Sequence, residues 1–260
     1  MRVNQKEKKM QKEELRALVR TMYDMQDMRI RMGNRKMMKR DHTSQEDNGT
    51  KRPKSRDSKV ALKITESFEY SELAEDRLKN AIGEEIKNYP IYELFLKNVK
   101  GCGPLMSAVI ISEIDITKAP YRSCIWQFAG MNPGLVKGRK NVNGAIVQSE
   151  EMVRGDKKTK GFVSPYNSFL KTKLLGVLAD CMIKSKSEYT KFYYDYKNRL
   201  ENEEKWKDES KMHRDKASKR YMIKMFLGDL YCRWRELEGL EVRCPYEEEY
   251  LGKKHHYRSA

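Results

Sequence analysis

A chain of 260 residues with 54 Lys and Arg against 38 Asp and Glu carries a formal charge of +16, a surplus that calls for an anionic partner or repels itself. With 38% hydrophobic and 35% charged residues, it can fill one large core or two small ones while leaving other parts as exposed helix or arm. No run approaches the roughly 20 apolar residues that span a bilayer, and MRVNQKEKKMQKEEL lacks the apolar segment of a secretory leader.

The five cysteines are spaced 22, 57, 51 and 12 residues apart and form no Cys-x-x-Cys pair, which speaks against a disulfide frame or a zinc ribbon. Cytoplasmic, nucleoid-associated location is expected, with no membrane association. Nucleic acid is the first partner such a charge suggests, and a membrane surface the second. A merely basic soluble protein is the plain alternative.

In chain order, residues 10–32 repeat Leu15, Leu18, Val19, Met22, Met25, Met28 and Met32 at three- and four-residue spacing, which predicts an amphipathic helix with a methionine-rich face. Residues 33–59 are basic and nearly devoid of apolar side chains; they read as a linker lying along phosphates or as a solvated tether. Residues 62–88 again predict a helix, with Leu73, Leu78, Ile82 and Ile86 on one side. Pro90 suits the first turn of the next helix, which carries Ile91, Leu94, Phe95 and Val99.

The stretch LKNVKGCGPLMSAVIISEIDI, residues 96–116, sets a tight Gly101-Cys102-Gly103-Pro104 bend between two apolar runs. The two glycines permit positive φ and leave amides uncovered. The N-terminus of a following helix adds partial positive charge. Together they predict a small anion nest for a phosphate, with Lys97 and Lys100 beside it. Such a nest grips the sugar-phosphate backbone and reads no sequence. The plain alternative is a corner between two helices that uses glycine for its bend.

Tyr121, Ile125, Trp126 and Phe128 predict another short helix ended by Gly130, and Pro133-Gly134 then turn the chain. Residues 137–161 are basic and glycine-punctuated (Lys137, Arg139, Lys140, Arg154, Lys157, Lys158 and Lys160), and predict a loop or short hairpin. Residues 169–183 predict a strong helix with Leu170, Leu174, Val177, Leu178, Cys181 and Met182 on one face. Tyr189, Phe192, Tyr193 and Tyr196 follow; they fill a core or stack on unpaired bases. After a charged stretch, 201–216, a last helix is lined by Ala217, Tyr221, Met222, Met225, Phe226, Leu230, Trp234 and Leu237. The acidic residues 247–249 and the pair His255-His256 read as exposed tail.

The segment LKNVKGCGPLMSAVIISEIDITKAPYRSCIWQFAGMNPG resembles the C-terminal domain of transposases of insertion-sequence family 110/116/902, with Val99, Gly101, Gly103, Ala108, Glu113, Ile114, Phe128, Gly130 and Pro133 on the family pattern. The resemblance spans roughly residues 65–240 and is clearest over 94–134. It implies a helix-hairpin-helix fold, DNA as partner, a guide RNA, assembly into homo-oligomers and recombination at a serine. The family's nucleophile-bearing stretch corresponds here to GFVSPYNSFL, which puts Ser164 in that place after a one-residue shift, with Ser168 as a second choice. The family's N-terminal RuvC-like domain, with four metal-binding carboxylates, has no counterpart in residues 1–63. The chain itself is therefore expected to hold no cofactor, with Mg2+ entering if another chain supplies that domain.

A serine attacks a phosphodiester only when its proton is removed and the phosphate charge is neutralised. Lys157, Lys158, Lys160, Lys171 and Lys173 can supply the charge; the plain alternative makes Ser164, before Pro165, a turn or cap residue. Cys232, Cys244, His255 and His256 fit no usual zinc spacing, and Glu113 and Asp115 read as helix-end pairing rather than a two-metal site. The expectation is an all-α fold in three parts: an N-terminal helix and basic linker over 1–63, a helical domain over 64–250 with the helix-hairpin-helix near 90–134, and a tail over 251–260. The DNA-binding set is Lys97, Lys100, Gly101, Cys102, Gly103, Lys137, Arg139, Lys140, Lys157, Lys158 and Lys160, and no metal ligand is expected.

Overall fold

The computed structural model describes residues 5–37 and 59–243, so Cys244, the acidic tail, the two C-terminal histidines and most of the expected basic linker lie outside the described residues. The described chain falls into two compact units divided between Glu85 and Ile86. The sequence reading divided it at 63/64 instead.

The first unit is an antiparallel pair of helices, α1 (Gln5–Met37) and α2 (Lys59–Glu85). α1 runs past Gly33, where the helix was expected to stop. Here the glycine serves close approach: a Cβ at that position would stand 3.1 Å from the Phe68 ring of α2. Leu15, Val19 and Met22 of α1 and Ile82 of α2 are buried, whereas Leu73, expected on the inner face, is exposed. The pair is locked by one carboxylate. Glu75, 1% exposed, accepts from Arg29, from Lys79 Nζ at 2.7 Å and from Gln26 Nε2 at 3.2 Å. Ser71 Oγ reaches Met32 Sδ at 3.3 Å one turn away.

In the second unit, α3 (Pro90–Leu94) is a single turn continued by a 3-10 turn, Leu96–Asn98. Leu94 points out of the core. After the glycine bend comes α4 (Pro104–Glu113), in which Met106 through Glu113 are all buried. A helix with no polar face must be covered on every side, and each fully buried Val or Ile is worth about 1.5–3 kcal/mol. α5 (Arg122–Phe128) follows, with Trp126 Nε1 donating to the Lys224 carbonyl at 3.0 Å.

The basic segment folds as a hairpin, β1 (Leu135–Val142) against β2 (Ala145–Arg154), antiparallel and with an irregularity between Lys137 and Arg139. The turn is Asn143-Gly144, with φ of 52° and 86°, the left-handed pair that matches hairpin twist. Among the described residues the fold is thus mostly helical with one small sheet, in line with the broadly all-α class expected.

The helix expected over 169–183 is present but interrupted. α6 (Ser168–Lys173) and α7 (Ala179–Lys184) are joined by a π turn, Leu174–Leu178. One extra residue in a turn shifts the buried stripe. Leu170, Leu174, Leu178, Ala179 and Met182 face inward, while Val177 and Cys181, expected inside, are exposed. α8 (Thr190–Asn202) and α9 (Lys211–Leu237) close the unit. α9 packs against α8, α5, α7 and α3. Ser210 caps it by accepting from the His213 amide at 3.2 Å, so it begins well before Ala217.

Arg235 is buried and donates to the carbonyls of Ala119 at 2.9 Å and Ile116 at 3.3 Å, tying α9 to the segment behind α4. Among the described residues no helix is long and apolar enough to cross a membrane.

The Glu75 lock gives the first prediction. Burial pushes its carboxyl upward, but the hydrogen bonds from Arg29, Lys79 and Gln26 hold it below the ordinary 4.5. A lowered folded-state value means that the stabilisation is full above pH 4.5 and is lost as pH falls through the lower folded value. Glu75→Ala should lower unfolding free energy by roughly 2–3 kcal/mol at neutral pH. The gap from the unmutated protein should shrink in acid, read as denaturant melts followed by circular dichroism at neutral and acid pH.

Candidate nucleic-acid interface

The glycine bend is only partly open. Gly101 has φ +88°, while Gly103 has an extended-region φ of −72° and stands as the N-cap of α4. The Cys102 amide is already donated to the Val99 carbonyl at 3.0 Å, and its thiol lies 3.5 Å from Ser107 Oγ. Burial pushes that thiol up to about 12, so Cys102 is a packing residue and not a thiolate.

A Cβ on Gly101 would lie 2.8 Å from backbone atoms of Cys181 and Met182 and from Ser185 Oγ. The first glycine therefore serves helix contact. At Gly103 a Cβ would meet nothing within 4 Å, so the N-terminus of α4 keeps an open side. Lys97 pairs with Glu93 at 2.7 Å, and Lys100 is exposed.

The hairpin lysines are paired across the ribbon. Lys137 meets Glu150 at 3.2 Å and Lys140 meets Glu151, with Lys140 also 4.7 Å from the Phe162 ring centroid. Arg139 donates to the Ser164 carbonyl at 3.3 Å, and its own carbonyl accepts from Val163 at 2.7 Å. Lys157, Lys158 and Lys160 stand exposed on the loop that follows.

The densest grouping of cations gathers where the hairpin meets α6 and α9. Asp156 is buried and pairs with Arg154 at 3.0 Å and Arg220 at 3.6 Å. Lys171 donates to the Asp156 carbonyl and lies 4.4 Å from the Tyr166 ring centroid. Burial lowers the Lys171 value; Asp156 pulls it back, and Arg220, Arg154 and Lys157 push it down again. Two arginines thus share one carboxylate, and Lys171 feels the surplus positive charge around it.

The sequence places Arg154 in the basic segment, but its periodicity and motifs do not mark Asp156, Tyr166 or Arg220. A signal for Asp156 existed: it is the only acid from 152 to 179, among six Lys and Arg. Nothing in the sequence brings Arg220 to it.

Ser164 Oγ donates to the Tyr166 carbonyl at 2.9 Å, a turn geometry, and Ser168 opens α6. Asn167 caps α6 by accepting from the Leu170 amide at 3.0 Å and donates to Glu113 Oε2 at 2.6 Å, so Glu113 serves helix-end pairing. Lys173 lies 5.4 Å from the Phe169 ring centroid. Base stacking by the α8 tyrosines meets an obstacle. Tyr189 and Tyr193 are buried, bonded to Asp229 at 3.0 Å and Asp215 at 2.6 Å, and Tyr196 stacks on Tyr221 at 4.4 Å.

The two glycines should behave differently. Gly101→Ala combines a left-handed φ with a backbone clash and should cost at least about 1–3 kcal/mol. Gly103→Ala has room for its Cβ and should cost only the loss of a glycine N-cap, about 1 kcal/mol or less. Thermal melts of the two variants check both. No protein-family model, curated protein or solved structure matches this chain.

Proposed function

We propose that this chain is a DNA-binding protein resembling the C-terminal domain of insertion-sequence family 110/116/902 transposases, acting in DNA transposition or recombination by gripping the DNA backbone. The observation that carries the reading is the grouping of Arg154 and Arg220 on the buried carboxylate of Asp156, with Lys171 on its backbone carbonyl and Lys157 close to Lys171. Like charges held together in a partly buried place repel one another unless an anion neutralises them. A phosphodiester is the anion that a +16 chain meets as a continuous row. The exposed loop lysines 157, 158 and 160 extend the same surface, and the open N-terminus of α4 offers a further amide site beside Lys100.

Strand transfer at Ser164 belongs to this reading as a proposal that needs a RuvC-like domain and its Mg2+ from another chain, with the guide RNA and homo-oligomer that the resemblance implies. A second reading, a non-catalytic accessory DNA-binding protein, is favoured by one observation: Ser164 Oγ is engaged with the Tyr166 carbonyl.

Duplex and four-way-junction DNA, titrated with salt, test the binding. With about six phosphates contacted, affinity should fall about a thousandfold between roughly 50 and 200 mM salt. Replacing Lys157, Lys158 and Lys160 together with alanine should flatten the log-log slope by roughly one unit per contact. A flat response in the unmutated protein rejects backbone binding. Ser164→Ala, assayed with the partner domain, should keep DNA affinity; loss of joining supports catalysis and retained joining supports the accessory role.

A further inference from the structure

Among the described residues the hairpin is anchored only at its foot. Val153 is buried, the Phe162 ring lies over Gly138, and the Gly155 amide donates to the Gly134 carbonyl at 2.8 Å. Beyond that foot, residues 141–149 carry no buried side chain. An uncovered two-stranded ribbon is marginal in water. This one is stiffened by its Asn143-Gly144 turn and by the cross-strand ion pairs of Lys137 and Lys140.

Its outer part has an unusual composition for this chain. Residues 141–149, NVNGAIVQS, contain no charged residue, although 35% of the chain is charged. They offer amides (Asn141, Asn143 and Gln148) and aliphatic side chains, with Val142 51%, Ile146 60% and Val147 50% exposed. Bare aliphatic residues on an open-edged ribbon invite association unless a partner covers them. The charges stand at the foot, with a basic surplus: Lys137, Arg139 and Lys140 on β1 beside Glu150 and Glu151 on β2, then Lys157, Lys158 and Lys160 on the loop.

A charge-free tip beyond a cationic foot matches the cross-section of duplex DNA, whose phosphates line the rims and whose neutral base edges form the floor of the groove. The major groove, about 12 Å wide, admits a two-stranded ribbon and shows a distinct donor and acceptor pattern for each base pair, whereas the minor groove, about 6 Å wide, shows a degenerate one. The register places Arg139 opposite Gln148 and Asn141 opposite Ile146, so these four share one face. Lys140 opposite Val147 and Val142 opposite Ala145 form the other. Asn141 Oδ1 accepts from the Gly144 amide at 2.9 Å and shapes the turn, which leaves Gln148 as the amide in the middle of the strand.

We propose that the arm 139–148 enters the DNA major groove and reads sequence, with Gln148 bonding a base edge, an adenine by preference, and Ile146 against a thymine methyl. The exposed lysines 157, 158 and 160 of the following loop hold the flanking phosphates, since Lys137 and Lys140 are paired across the ribbon. This rests on the DNA-binding reading but goes beyond it, since a backbone grip alone selects no sequence.

The test is selection by the full chain from a pool of random duplexes, sequenced after each round, beside the double variant Gln148→Ala/Ile146→Ser. The unmutated protein should enrich a short motif that it binds at least about tenfold better than random duplex. The variant should keep its circular dichroism, its affinity for random duplex and its salt slope, while losing the enrichment. Binding to random duplex with no motif, or the same motif from the variant, overturns the arm as a reader and leaves the backbone grip standing. Failure of the unmutated protein to bind any duplex overturns both. Sedimentation decides the rival occupant: a dimer that the variant turns into a monomer makes the arm a contact between copies and overturns groove reading.

Discussion

From Met106 to Glu113, α4 has no solvent face, and both of its ends are tied to the segment from α6 through the π turn to α7. At its N-terminal side, Gly101 abuts the backbone of Cys181 and Met182 in α7. At its C-terminal side, Glu113 accepts from Asn167, the cap of α6. α6, the π turn and α7 therefore run antiparallel to α4 and are clamped at each end. The clamp sets where Lys171 sits, and Lys171 joins the hairpin foot to the helical core through the Asp156 carbonyl. Loosening α4 would therefore reach the basic site, although α4 contributes no charge to it.

The electrostatics follow from this geometry. Some surface cations are matched locally, as Lys97 is by Glu93 and Lys137 by Glu150. At the junction of hairpin, α6 and α9, one carboxylate faces more than one cation. Exposed pairs are worth little and are readily exchanged for a phosphate, whereas Asp156 is buried and holds its partners in place. The site thus combines a fixed frame with replaceable rim charges, which is what the proposed backbone contact requires.

The glycine bend shows how local reasoning succeeds and stops. A tight turn followed by a helix from Pro104 was legible, because glycine permits positive φ and proline suits a first turn. That Gly101 faces a helix while Gly103 stays open was not, since the difference arises from residues eighty positions downstream. The same holds for residues 169–183. Helical spacing was plain, but the π turn shifted Val177 and Cys181 outward, and a 3.6-residue period contains no sign of one inserted residue. The hairpin was legible only as a loop or hairpin, although VNGA carries the turn chemistry that places both strands.

By itself the sequence determined the mostly helical character, most helix starts and the basic character of the chain, because periodicity, proline placement and composition act over a few residues. Tertiary structure alone decided which cations converge. Arg154, Lys171 and Arg220 lie on three separate elements and meet only because a buried carboxylate needs partners. It also decided that α2 belongs with α1, where Glu75 draws in Arg29 from 46 positions away. Burial turns a distant charge into a neighbour, and no local pattern encodes that distance.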